Sequence, residues 1–138
     1  MKRTLILLVA CAILAGCGDN KAQEKALLDS VIKIHDHMMG NDEMLMNNKM
    51  KIDTLLKDAN VNANAEEQRQ LMGLKVQLTN AEDGMEKWMQ KFNPDQTGKS
   101  HEDVMNYLQA QKAQIITVNT SIDSAINAST NYLKTLNK

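Results

Sequence analysis

Three runs of the chain repeat apolar side chains at alternating steps of three and four residues, the spacing that puts them on one face of a helix. The first runs through Leu27, Val31, Ile34, Met38, Leu45, Ile52, Leu55 and Ala59, and is interrupted at Asn41 and Asn48. The second has no polar step: Leu71, Leu74, Leu78, Ala81, Met85, Trp88 and Phe92. The third runs through Val104, Leu108, Ile115, Val118, Ile122, Ala125, Tyr132 and Leu136, with Gln111 and Ser129 as its polar steps. An asparagine-rich stretch over 58–64 and a Pro94-centred stretch over 93–99 separate the runs, and both carry turn chemistry. Asn64 with Glu67, and Ser100 with Asp103, are spaced to cap the second and third helices. The pattern predicts an all-α, elongated up-down-up three-helix bundle over 24–138. Its first helix, of about 38 residues, would be roughly 57 Å long.

The chain starts differently. Met1-Lys2-Arg3 is basic, Thr4 to Leu14 is apolar, and Leu14-Ala15-Gly16-Cys17 follows. That order reads as a secretory signal peptide over 1–16, and the small residues before Cys17 resemble the lipobox of bacterial lipoproteins. The resemblance implies lipid attachment at Cys17 and a polar, lipidated tether over 17–23. The acyl chains would anchor the protein in the membrane of the cell envelope. We expect an outer-membrane lipoprotein facing the periplasm.

Composition then narrows the chemistry. Cys11 lies in the segment to be removed and Cys17 carries lipid, so the processed chain has no thiol for catalysis, disulfide or metal. Loss of Lys2 and Arg3 takes the 16 basic side chains to 14, against 17 acidic ones, a formal charge of −3. An acidic body is not drawn to anionic lipid, and with no basic stripe and no aromatic platform it is not a nucleic-acid binder. Gly98-Lys99-Ser100 ends like a phosphate loop, but Asn93 stands where that loop needs glycine. Asn93, Asp95, Thr97 and Gly98 follow a calcium loop until Val104 replaces its bidentate glutamate. With no nucleophile elbow and no inward Glu-x-x-His pair, the expectation is a non-enzyme.

Ten methionines against four aromatics are the compositional oddity. If the turns at 58–65 and 92–100 reverse the chain directly, Trp88 lies beside both His35 and Val104. His35, Met39, Met89, His101 and Met105 then share one level of the bundle. Imidazole and thioether ligands beside an indole suit a soft cation, above all Cu(I). The packing alternative makes Met38, Met85 and Trp88 core side chains and the histidines polar caps of the bundle end. Met39, Met46 and Met50 follow the outer flank of the first seam. They form either an exposed face for a protein partner or self-association, or part of a wider buried face on a rotated helix. Met44 and Met72 have no assignment in either reading.

A family resemblance rests on three segments that follow the lipobox: Ile34-His35-Asp36-His37-Met38-Met39, Trp88-Met89-Gln90-Lys91-Phe92, and Met105-Asn106-Tyr107-Leu108 through Gln111-Lys112. In this order they look like a group of small Bacteroidota lipoproteins, some labelled after viral A-type inclusion proteins. The resemblance implies a helical envelope lipoprotein and supplies no catalytic residues. His37 and the methionine-rich run from Met44 to Met50 fall outside what it covers.

The leading expectation is therefore a structural or protein-interaction module held by a lipid anchor. The alternative is a periplasmic Cu(I)-binding or buffering protein.

Overall fold

The structure is a computed structural model that describes residues 15–58 and 64–136, with side chains from residue 18 onward. It holds α1 (Ala15–Leu55), α2 (Ala65–Lys91) and α3 (His101–Leu136), and no strand among the described residues. The helices pack as the expected three-helix bundle. At 41 residues α1 is about 62 Å long, which makes the bundle elongated. The signal segment 1–16 falls almost wholly outside the described residues, as do the Cys17 side chain and Ala59.

The stretch 18–23, expected as a tether, is helical and continuous with α1. Its polar side chains pair along the helix: Gln23 with Asp19 at 2.9 Å, Lys21 with Glu24 at 2.7 Å, and Lys25 with Asp29 at 2.5 Å. Spacings of three and four residues bring such partners together on a helical surface. Polarity alone therefore does not end a helix here.

The core is a stack of layers. Val31, Met38, Leu45 and Ile52, seven residues apart, are all fully buried. From α2 come Leu71, Leu74, Leu78, Ala81, Met85 and Trp88. Trimming one of the large α1 side chains to alanine costs ~2–5 kcal/mol, a sizeable part of a small domain's stability. On α3 the buried stripe departs from the expected one. It includes Ile126 and Leu133, while Val118 and Tyr132 are only half-buried and Leu136 is exposed. A straight helix drifts ~20° per heptad relative to a strict seven-residue repeat, so over the roughly five heptads of α3 the stripe slides by about one position.

Both caps form as expected. Asn64 Oδ1 accepts from the amides of Glu66 and Glu67, at 3.2 and 3.3 Å. Ser100 Oγ accepts from the Asp103 amide at 3.2 Å and donates to its carboxylate at 2.6 Å. The polar steps of the α1 seam face α3. Asn48 Nδ2 donates to Ser129 Oγ at 2.9 Å and to Thr130 Oγ1 at 2.8 Å. Ser129 Oγ in turn donates to the Ala125 carbonyl at 2.7 Å. One layer up, Asn41 Nδ2 donates to Asp123 at 3.2 Å, and Asn119 donates to the other oxygen of that carboxylate at 2.9 Å. A buried polar pair is satisfied at one alignment of two helices and orphaned at the neighbouring ones, so the Asn48–Ser129 contact fixes the register of α1 on α3, and the part-buried Asn41–Asp123 contact agrees with it.

This layer can be tested by a double-mutant cycle. Asn48→Ala should lower the urea unfolding free energy by ~1–3 kcal/mol. Asn48→Ala with Ser129→Ala should cost less than the two single losses added together, because the second change removes the partner that the first leaves unpaired.

Candidate functional site

The candidate site is a row of rings and sulfur that crosses all three helices. Trp88 and Phe92 are four residues apart, so they share a face and stack with ring centroids 4.7 Å apart. His35 of α1 lies at 6.0 Å from the Trp88 ring on one side. Tyr107 of α3 lies at 6.4 Å from Phe92 on the other, and Lys99 sits 5.3 Å above the Tyr107 ring. The Tyr107 hydroxyl accepts a 2.8 Å hydrogen bond from the Asn93 amide, which pins the start of the α2–α3 connection. Three of the four aromatic side chains thus join one row, with only Tyr132 elsewhere. Burial, and secondarily the Glu67 carboxylate, push the Tyr132 hydroxyl above its ordinary pKa.

His35 Nε2 lies 3.4 Å from Met89 Sδ, and its Nδ1 lies 3.3 Å from Asp36 Oδ1. This is the α1–α2 register that the short turn predicted. Met39 stands one turn beyond His35 on α1 and is 44% exposed. Trp88 Nε1 is buried without an acceptor.

His101 and Met105 do not join this group. His101 Nδ1 lies 2.9 Å from Glu24 Oε1, eleven residues before His35 on α1, or about 16 Å along the axis. The expected common level of five ligands is therefore corrected to two places. His35 and Met89 meet at one, with Met39 a turn away; His101 sits at the other with Met105 one turn beyond it. The cause is the α2–α3 connection, which does not reverse the chain directly. Pro94–Thr97 run back beside the first turns of α3, sharing a cleft with Leu28, Val104 and Leu108. Asn93 Oδ1 accepts from the Asp95 amide and Asp95 Oδ1 from the Thr97 amide, both at 2.9 Å. The hydrogen bonds from Thr97, with Lys99 nearby, lower the Asp95 pKa. Gly98 then turns with φ 81°, a conformation that disfavours a Cβ. Trp88 consequently shares its pocket with Gln114, Thr117 and Val118 in place of Val104.

Glu24 was not singled out in the sequence. It stands seven residues before Val31, so it continues the buried series Val31, Met38, Leu45, Ile52 by one step toward the chain start. That spacing was the available signal. Hydrogen bonds from Lys21 and then His101 hold its carboxyl below the usual glutamate range, against the smaller opposing effect of desolvation.

The methionine face is settled by exposure. Met39, Met46 and Met50 are 44%, 38% and 57% exposed, so α1 is not rotated to bury them. Ile32 extends the stripe one heptad before Met39. The stripe follows the seam with α2. Met39, Met46 and Met50 each lie three or four residues from a side chain that reaches α2: His35 to Met89, Lys49 to Glu82, and Asp53 to Lys75. Across the seam α2 adds the exposed Met72, three residues before Lys75. Among the described residues no three His, Cys, Asp or Glu side chains gather as a metal site, and no helix is long and apolar enough to span a membrane. The chain matches no family model, no curated protein and no solved structure.

The Glu24 contacts give a pH prediction. A carboxyl whose pKa is lowered on folding stabilises the fold above its unfolded pKa of about 4.3, and that contribution is lost as the pH falls through the lower, folded value. Glu24→Gln should therefore unfold at a temperature that falls less than wild type between neutral and strongly acidic pH, measured by circular dichroism melts.

Proposed function

We propose that this chain is a non-enzymatic interaction module, lipid-anchored at Cys17 in the bacterial cell envelope, in the outer membrane and facing the periplasm. The observation that carries the interaction reading is the α1–α2 seam. Of the three helix pairs, α1–α2 is the least closely packed. Long charged side chains bridge it, and a line of exposed methionines borders it. A monomer gains nothing from leaving that much apolar side chain in water. A partner helix laid along the seam would bury Met39, Met46 and Met50 together with Met72. Thioether side chains adapt to partners of varied shape better than branched ones do. Met50 also borders a groove of about 450 Å³ between α1 and α3, lined by Leu55, Leu133 and Leu136 together with Asn47, Lys51 and Thr54, so apolar surface continues from the seam onto the neighbouring face of α1.

The lipobox residues and the resemblance to small Bacteroidota lipoproteins support the anchor. Two acyl chains with an added N-acyl group give stable attachment where a single chain would not.

Two measurements test the reading. In cells, the wild-type chain should fractionate with membranes and Cys17→Ala should be soluble; a membrane-bound Cys17→Ala protein refutes the anchor. A photo-crosslinker at position 46 should trap a partner or a second copy. Met39→Lys combined with Met50→Lys should abolish that product while the melting temperature stays within a few degrees, since surface changes alter stability by about ±0.5 kcal/mol. Absence of any crosslinked product from position 46 refutes the interaction face.

A further inference from the structure

We propose that His35 and Met89 form a site for one Cu(I) ion, independent of any partner on the seam. Both nitrogens of the His35 ring have a close neighbour. Nδ1 faces the Asp36 carboxylate at 3.3 Å, and Nε2 faces the Met89 sulfur at 3.4 Å. Both neighbours present lone pairs. A neutral imidazole has a single N–H, so it can satisfy only one of them and turns a lone pair toward the other. A metal ion at Nε2 resolves this and, unlike a second ring proton, also takes the Met89 sulfur as a ligand. Nδ1–H then donates to Asp36, which orients the ring as outer-shell carboxylates orient metal-bound histidines. Nε2 and Sδ are left as two ligands converging on one point.

The separation fits an ion between them. With bonds of about 2.0 Å to imidazole nitrogen and 2.3 Å to sulfur, typical of a d¹⁰ ion, a 3.4 Å gap corresponds to an angle of about 104°. That angle lies near tetrahedral, so neither side chain has to move far. Met39, one turn along α1 from His35, can offer a second thioether. The Trp88 ring, 6.0 Å from the His35 ring, adds an aromatic face to the same locality.

The donor set chooses the ion. Thioethers bind soft cations and are poor ligands for Zn(II), Mg(II) or Ca(II). No group of three His, Cys, Asp or Glu among the described residues offers those ions a site. The site lies at the surface, with Met89 39% exposed, so it is open to entry. His101, held by Glu24 about 16 Å away along α1, is not part of it.

The test is an anaerobic Cu(I) titration of the full chain in detergent, with a chromophoric competitor and the fluorescence of Trp88, the single tryptophan. One equivalent should bind with Kd below about 1 μM and change the Trp88 emission. Met89→Leu and His35→Gln should each weaken binding about tenfold or more, with unchanged circular dichroism, and His101→Ala should leave it unaltered. Met89→Leu alters an exposed side chain with little change in volume, so it keeps the test valid if His35→Gln perturbs the fold. The proposal is overturned by weaker or unsaturable Cu(I) binding, by binding indifferent to Met89→Leu, by equal loss in His101→Ala, or by Zn(II) binding as tightly. None of these results depends on the crosslinking at position 46.

Discussion

The alignment of α1 on α3 is the constraint on which the other arrangements rest. These two helices make the most extensive contact in the bundle, and α1 places Asn41 and Asn48 where apolar side chains would be expected. An apolar seam with a seven-residue repeat tolerates sliding by a heptad, because one leucine replaces another. Asn48 against Ser129 and Thr130 does not tolerate it. A slip would leave its amide buried and unpaired, at a cost of ~1–3 kcal/mol that the apolar layers cannot return. Once α1 and α3 are aligned, the lengths of the two connections determine where α2 can lie.

The same division of labour explains why the seam between α1 and α2 is open. The polar steps of α1 turn toward α3, and the close contacts follow them. Toward α2 the helix presents His35, Lys49 and Asp53, whose ends reach Met89, Glu82 and Lys75. Long side chains meeting end to end hold the axes at a wider spacing than interlocked aliphatic ones. The residues just outside these bridges are then left at the surface, and in this chain many of them are methionine. The proposed docking face and the proposed cation site are therefore two consequences of one packing arrangement.

Much of this was legible in the residues themselves. The α2 seam has no polar step and both of its ends carry recognisable signals, so its buried face is read correctly from Leu71 to Trp88. The α1–α2 register follows from a short connection. The α2–α3 register does not, because 93–100 has two readings. It can cross between helix ends, or it can run along a helix and occupy space that α2 would otherwise fill. Asx turns at Asn93 and Asp95 and the Tyr107 hydroxyl select the second, and the tyrosine lies fourteen residues from its partner in sequence. Matching Asn48 to Ser129, the polar steps of two parallel helices, would have supplied the missing offset. It places His35 opposite α3 residues well beyond His101. Glu24 was hidden for another reason. A charged side chain at a core spacing reads as solvated until its partner, His101, is brought to it by the fold.

The ten methionines show why a count of residue type carries little chemistry by itself. Met38 and Met85 are buried and do what leucine would do. Met46, Met50 and Met72 are exposed, where leucine would be equally apolar but stiffer, so adaptability to a partner is the property that methionine adds. Among the described residues, Met89 alone has its sulfur directed at an imidazole nitrogen. There leucine would fill the space and keep the helix, but it would lose the lone pairs. The same side chain thus contributes volume, pliancy or ligation according to what surrounds it, and only the third role depends on the sulfur itself.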